Sequence, residues 1–455
     1  MRQWHFSAYL TIALWCGMLT VLTHCPMLFK IHYEGDEVAY FVLAERMGWD
    51  GSNYTTKDDP RIRNFPYSIY HGPLFHHPPL YPYLLKVAME WKSNPLLMLP
   101  YVATRKPIEG ELSPIVQGEA AAGAFLVSVF ITLAGVIYAW RLMALTKIEP
   151  IWGVTAMVGV VFCPLLLFST VRIHHDGLAG LMVLCGLVAF AETLTVPRLR
   201  TSIEAAAWLV LALNIRFNTI LVLPIIAAMP LYSFWAKREH AARATFANLC
   251  KHFSAKEYRL GPALVFGAVL TLGLQHYYRL WATYGTIWPG TLIRPLENVA
   301  NFSPYLTWIE TKMTRAWVLA DLGMFFPLLL LFIAPWNLKA VVADLRTGKW
   351  SAAFVAIFVC LFLGQFALSY IHVRYFAAVT PLMHVCWPYL LRNAPASDWC
   401  RWALGGLAGL TLVLMLTTGF LVSAIEEPHQ VILRPSLAVY LAPMLESYDP
   451  THTPR

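Results

Sequence analysis

The residues of this chain that could do chemistry stand in short polar islands between long apolar runs. Gly35-Asp36-Glu37 forms one island, Phe75-His76-His77-Pro78-Pro79 a second and Arg172-Ile173-His174-His175-Asp176 a third, with further arginines at 216 and 374. A carboxylate can take a proton from a nucleophile or face a developing oxocarbenium ion. Imidazoles shuttle protons, bind metal or touch phosphate, and arginine holds phosphate through paired hydrogen bonds. Each island also has a plain structural reading. Asp36 and Glu37 cap the positive end of a helix, and the prolines hold His76 and His77 in extended backbone. Residues 172–176 form a solvated turn, and an arginine at the edge of an apolar run snorkels toward water. Asp58-Asp59-Pro60 reads as a turn. Five separate boundaries each offering such a group favour a shared anion-binding, acid–base site over five independent accidents.

The elements that must position these groups are membrane spans. Of the 455 residues, 58% are hydrophobic and 13% charged, whereas soluble domains carry about 25% charged residues. A spanning helix needs about 20 apolar residues. The runs 8–28, 119–140, 151–171, 177–196, 202–215, 217–235, 261–281, 317–336, 351–371, 375–391 and 402–424 predict an all-α polytopic membrane protein of about eleven spans. The stretch 202–235 is divided because Arg216, flanked by Asn214 and Asn218, would cost about 2.5–3.5 kcal/mol at mid-membrane. A reversal there lets Arg216 reach the water interface. With that division every short inner loop is basic, as the positive-inside rule requires: Arg141 and Lys147, Arg198 and Arg200, six lysines and arginines within 237–259, then Lys339, Arg346 and Lys349, then Arg392 and Arg401. The polar islands then all face outward from a cytoplasmic N-terminus. The net charge of +8 becomes a mark of topology and not of nucleic-acid binding.

Four regions follow: an anchor at 1–30, an extracytoplasmic loop at 31–117, a transmembrane bundle at 118–424 and an extracytoplasmic tail at 425–455. The anchor has no small-residue cleavage site and reads as retained. Within the loop, Val38, Phe41, Ala44 and Met47 follow helical spacing over 36–47. The stretch 79–102, apolar but interrupted by Lys86, Glu90, Lys92 and Pro95, reads as interfacial. The eight cysteines lack CxxC spacing and read as small core residues.

In order along the chain, these motifs resemble the GT-C superfamily of membrane glycosyltransferases, in the branch of protein mannosyltransferases, lipid A aminoarabinose transferases and Rgt-like enzymes. The resemblance rests on Gly35 to Tyr40, on HHPPLYPYLL from His76, on Glu119-Ala120-Ala121-Ala122, on Arg172 to Asp176, on LNIRFNTILVLP from Leu213 and on RYFAAVTPLM from Arg374. An arginine usual at the entry of the second span is missing, and the large soluble C-terminal domain of some relatives is absent.

The resemblance implies a sugar transferred from a polyprenyl-phosphate donor to an acceptor hydroxyl on a glycan, lipid or protein, with inversion. It implies catalytic roles for Asp36, Glu37 and Asp176, and contact with the lipid phosphate for Arg216, Arg374 and Arg172. His76, His77, His175, Tyr40 and Tyr81 would position substrate or a divalent metal, which the outer histidines admit but no spacing demands. The setting it implies is a bacterial inner membrane with the site facing the periplasm, or an ER membrane in a eukaryote. Two other classes fit the same composition: a polytopic transporter of an anionic solute, and a non-catalytic relative of the same fold.

Overall fold

A computed structural model describes residues 11, 14–22, 24, 36–62, 71–90, 114–148, 150–162, 166, 175–236, 256–287, 332, 334–367 and 377–393. Among these residues the regular structure is helical, without strands. The loop contributes α1 (Asp36–Arg46) and α2 (Leu80–Glu90). The bundle contributes α3 (Pro114–Thr146), α4 (Pro150–Phe162), α5 (Asp176–Thr195), α6 (Leu199–Ile215), a 3-10 turn (Phe217–Leu221) and α7 (Val222–Ala236). Then come α8 (Lys256–Ala268), a π turn (Val269–Gly273), α9 (Gln275–Tyr284), α10 (Pro335–Arg346), α11 (Trp350–Ala367) and α12 (Thr380–Arg392).

Among the described residues four helical segments are long and apolar enough to cross a membrane: Ala122–Thr146, Asp176–Thr195, Phe217–Ala236 and Leu260–Tyr284. A fifth arises if the pair Pro335–Arg346 and Trp350–Gln365, bent by 117°, counts as one span. Of the eleven expected spans, 402–424 lies outside the described residues, and 8–28, 151–171, 317–336, 351–371 and 375–391 are described only in part.

Lys339 and Arg346, expected in an inner loop, lie on a short helix within that segment, α10. Proline at the first turn suits helix initiation, and α10 buries Asn337 and Val341. The reversal comes at Gly348, whose φ of +74° only glycine adopts readily. Lys349 then pairs with Asp344, which also accepts from the Tyr389 hydroxyl at 2.7 Å. The expectation for Arg216 does need correction. The apolar run does break there, in extended backbone (φ −151°, ψ 140°), but the side chain is 1% exposed and does not reach an interface.

The centre of the bundle is α5, buried along nearly its whole length. It packs against α3, α6 and α12. Its approach to residues 377–378 depends on Gly180. A Cβ at that position would sit 2.6 Å from the Ala377 carbonyl oxygen and 2.7 Å from that of Ala378. Both obstacles are backbone, so neither can yield by a rotamer change. Gly180→Ala is expected to destabilise the protein by about 1–3 kcal/mol, read as a lower unfolding midpoint in detergent. An unchanged midpoint would show that the two segments are not in contact.

The two ends of α5 differ in chemistry. At its C-terminal end Glu192 pairs with Arg141 of α3, which also pairs with Glu204 of α6. Arg200 and the Tyr138 hydroxyl join the same carboxylate. Asp176 lies at the other end, about 24 Å away along the axis at 1.5 Å per residue. The polar groups of the bundle therefore gather at opposite ends of the core.

Within the loop, α1 packs against α2. Asp58 and Asp59 lie in turns, as expected, with Asp58 at φ +62°. Arg61 and Arg46 pair with Asp59, and the Arg61 hydrogen bond holds the Asp59 carboxyl below the usual carboxylate range. Among the described cysteines, 16, 185, 360 and 386 are free thiols, and only Cys360 is exposed.

Candidate active site

The site is assembled from four segments. Helix α1 supplies Glu37 and Tyr40, which are three residues apart and so share a face; both are buried. The bend ahead of α2 supplies Phe75, His76 and His77, and α2 supplies Tyr81, all buried. The start of α5 supplies His175 and Asp176, and the break after α6 supplies Arg216 and Phe217. Asp176 opens its helix, where the helix dipole stabilises a carboxylate.

The heart of the site is an ion pair between Arg216 and Asp176, both nearly inaccessible to solvent. His175 Nε2 lies 3.3 Å from Arg216 Nη1. Aromatic rings wrap this pair. His77 meets His175 at 4.7 Å between centroids, edge to face, and stacks near Phe217 at 5.8 Å. His76 and His77 are 3.9 Å apart. Tyr40 sits edge-on to His175 at 5.1 Å and to Tyr81 at 5.3 Å. A charge pair taken out of water is costly unless the partners are held closely, so this closed shell fixes the geometry of Arg216.

Burial, and then the nearby Glu37 carboxylate, hold the Tyr81 phenol well above its ordinary pKa. Its hydroxyl makes no hydrogen bond among the described residues. An unsatisfied buried hydroxyl costs about 1–3 kcal/mol. Tyr81→Phe is therefore expected to leave the unfolding midpoint unchanged or to raise it. A marked fall would mean that the hydroxyl has a partner in the resting protein.

The backbone of the site is held by residues outside the polar islands. The Tyr54 hydroxyl lies 2.9 Å from the His77 carbonyl and 3.2 Å from that of Pro78. Nothing in local spacing marks Tyr54. His276 and Tyr277, which also approach this backbone, carry a fainter signal: an imidazole within an apolar run is costly unless engaged.

Seven of the expected site residues are thus brought together in one place: Tyr40, His76, His77, Tyr81, His175, Asp176 and Arg216. Glu37 joins them through its proximity to Tyr81. Asp36 is the first residue of α1, but its side chain lies outside the described residues, as do Arg172 and Arg374. Among the described residues no group of three or more His, Cys, Asp or Glu side chains is arranged to hold a metal ion.

The sequence matches no protein-family model and none of the curated proteins. Its fold does find a counterpart. ArnT from Cupriavidus metallidurans, in a crystal structure with undecaprenyl phosphate bound, superposes with a TM-score of 0.51 over 98% of this chain and 82% of that one, at 13% identity. This chain is folded like ArnT. At that identity the likeness is one of fold, and it extends over nearly the whole chain.

Proposed function

We propose that this chain is a membrane glycosyltransferase that moves a sugar from a polyprenyl-phosphate donor to an acceptor hydroxyl, with inversion, on the extracytoplasmic face of a bacterial inner membrane. The observation that carries the reading is the buried Arg216–Asp176 pair enclosed by Tyr40, His77 and His175 at one end of the bundle. The ArnT structure that shares this fold holds a polyprenyl phosphate, undecaprenyl phosphate.

In the proposed reaction the acceptor oxygen attacks the anomeric carbon while the bond from that carbon to the phosphate oxygen breaks. The acceptor proton passes to the Asp36 carboxylate. The electron pair leaves on the polyprenyl phosphate, where the Arg216 guanidinium, with Arg374 and Arg172, balances the growing charge. Preorganised cations of this kind usually supply the largest part of such catalysis. Asp176 has a distinct part: it holds the Arg216 fork in one orientation before donor arrives. Glu37, Tyr40, Tyr81 and the histidines line the acceptor side, where the Tyr81 hydroxyl offers a hydrogen bond to a sugar or acceptor oxygen.

The test is sugar release or transfer by purified wild-type protein in detergent, over a panel of polyprenyl-phosphate sugars with glycan, lipid and peptide acceptors. Consumption of one donor is expected. No consumption of any donor, with binding of polyprenyl phosphate also absent, would end the proposal.

A further inference from the structure

His276 and Tyr277 belong to none of the polar islands, yet each reaches the backbone of the site. His276, 1% exposed, places Nε2 3.2 Å from the His76 carbonyl. A carbonyl only accepts, so Nε2 is the protonated ring nitrogen in this contact. Tyr277, 3% exposed, donates its hydroxyl to the Phe217 carbonyl at 3.0 Å, with the Arg216 carbonyl 3.3 Å away. Neighbouring residues on a helix point about 100° apart. The start of α9 therefore reaches, side by side, the two halves of the site: the histidine bend ahead of α2 and the break after α6.

An irregularity in the chain sets α9 in that place. The π turn Val269–Gly273 precedes it, and such turns are frequent at functional positions. Asn214 Nδ2 donates to the Leu272 carbonyl at 2.9 Å, tying the π turn to the last turn of α6. Gly273 lies against the Leu213 side chain of α6, where a Cβ would stand 2.8 Å from Leu213 Cδ1. Farther along α9, Arg279 donates to the Gly51 carbonyl at 3.1 Å, and the Tyr284 hydroxyl accepts from the Leu74 amide at 3.1 Å. One face of α9 thus fastens the loop, while Tyr277 fastens the broken helix.

None of these bonds involves the imidazoles of His76 or His77 or the guanidinium of Arg216; each holds main chain. Removing one changes where the site's side chains stand and leaves their number and type intact. We infer that His276 and Tyr277 are positioning residues, and that the helix beginning at the π turn is a clamp setting the separation between His76-His77 and Arg216-Phe217. The effect on turnover rests on the transferase reading, but the clamp also has a readout independent of it.

The experiment compares wild type with His276→Leu, His276→Gln and Tyr277→Phe by donor turnover and by amide hydrogen exchange in the peptides covering 71–80 and 213–222. Misplacement of reacting groups by about 1 Å can cost about 100-fold in rate. His276→Leu and Tyr277→Phe are expected to lower kcat by roughly 10- to 100-fold, to leave KM near the wild-type value and to speed exchange in both peptides. His276→Gln, which keeps a donor to the His76 carbonyl, is expected to recover most of kcat and the slow exchange. Wild-type kcat in His276→Leu and Tyr277→Phe would overturn the inference, and so would a loss of kcat with exchange unchanged. If wild type consumes no donor, the transferase reading fails separately and exchange alone decides: faster exchange in the variants sustains the clamp, and unchanged exchange overturns it. His276→Gln and Tyr277→Phe are mild enough to keep the test valid should His276→Leu not fold.

Discussion

Asp176→Asn is expected to destabilise the protein by about 3–5 kcal/mol, because it leaves the Arg216 guanidinium charged and unneutralised inside a closed aromatic shell. The loss should appear as a lower midpoint in thermal or denaturant unfolding in detergent. A second variant separates charge from packing. In Asp176→Asn combined with Arg216→Gln neither charge remains, so a large part of the stability should return. Such non-additivity is the mark of a direct interaction. Turnover should not return with it, since the cation facing the leaving phosphate is gone. If Asp176→Asn alone unfolds at the wild-type midpoint, the pair is not what holds the site together.

The second large effect is on rate. Asp36→Asn is expected to lower kcat by about 10²–10⁴-fold, the usual contribution of a general base, while polyprenyl-phosphate binding stays near the wild-type level. The side chains differ little in size, and Asp36 begins α1, where losing the carboxylate's interaction with the helix dipole costs only about 0.3–1 kcal/mol. A change in stability is therefore not expected to obscure the result. Binding and turnover must be measured together, because a loss of both would point to the donor and not to the proton. Turnover within about tenfold of wild type would remove Asp36 from the reacting centre. Glu37, buried and beside Tyr81, would then be the carboxylate to replace.

These two carboxylates show how differently the chain discloses its parts. The helix carrying Asp36 was legible because Val38, Phe41, Ala44 and Met47 recur at helical spacing, and local hydrophobic period is a property of consecutive residues. The break at 216 was legible for a related reason: a charge between two apolar runs cannot lie at mid-membrane without a large cost. The opening of α5 at Asp176 followed from the end of one apolar run and the start of the next. The α10 helix was not legible, because charge places Lys339 and Arg346 on one side of the membrane and says nothing of whether the segment carrying them is helical.

The sequence by itself determined the class of molecule, the polar islands and the helices that begin or end at them. Composition and period fix whether a segment is apolar and helical, and these are local quantities. Only the tertiary structure decided that Arg216 is buried against Asp176 and not extended to water, because that outcome depends on which helix ends meet. Tyr54, His276 and Tyr277 were likewise decided by folding. Each acts on a main-chain carbonyl far away in sequence, and every residue carries such a carbonyl. Without a distinctive partner in the sequence, only the packing of α9 against the loop and the broken helix could select them.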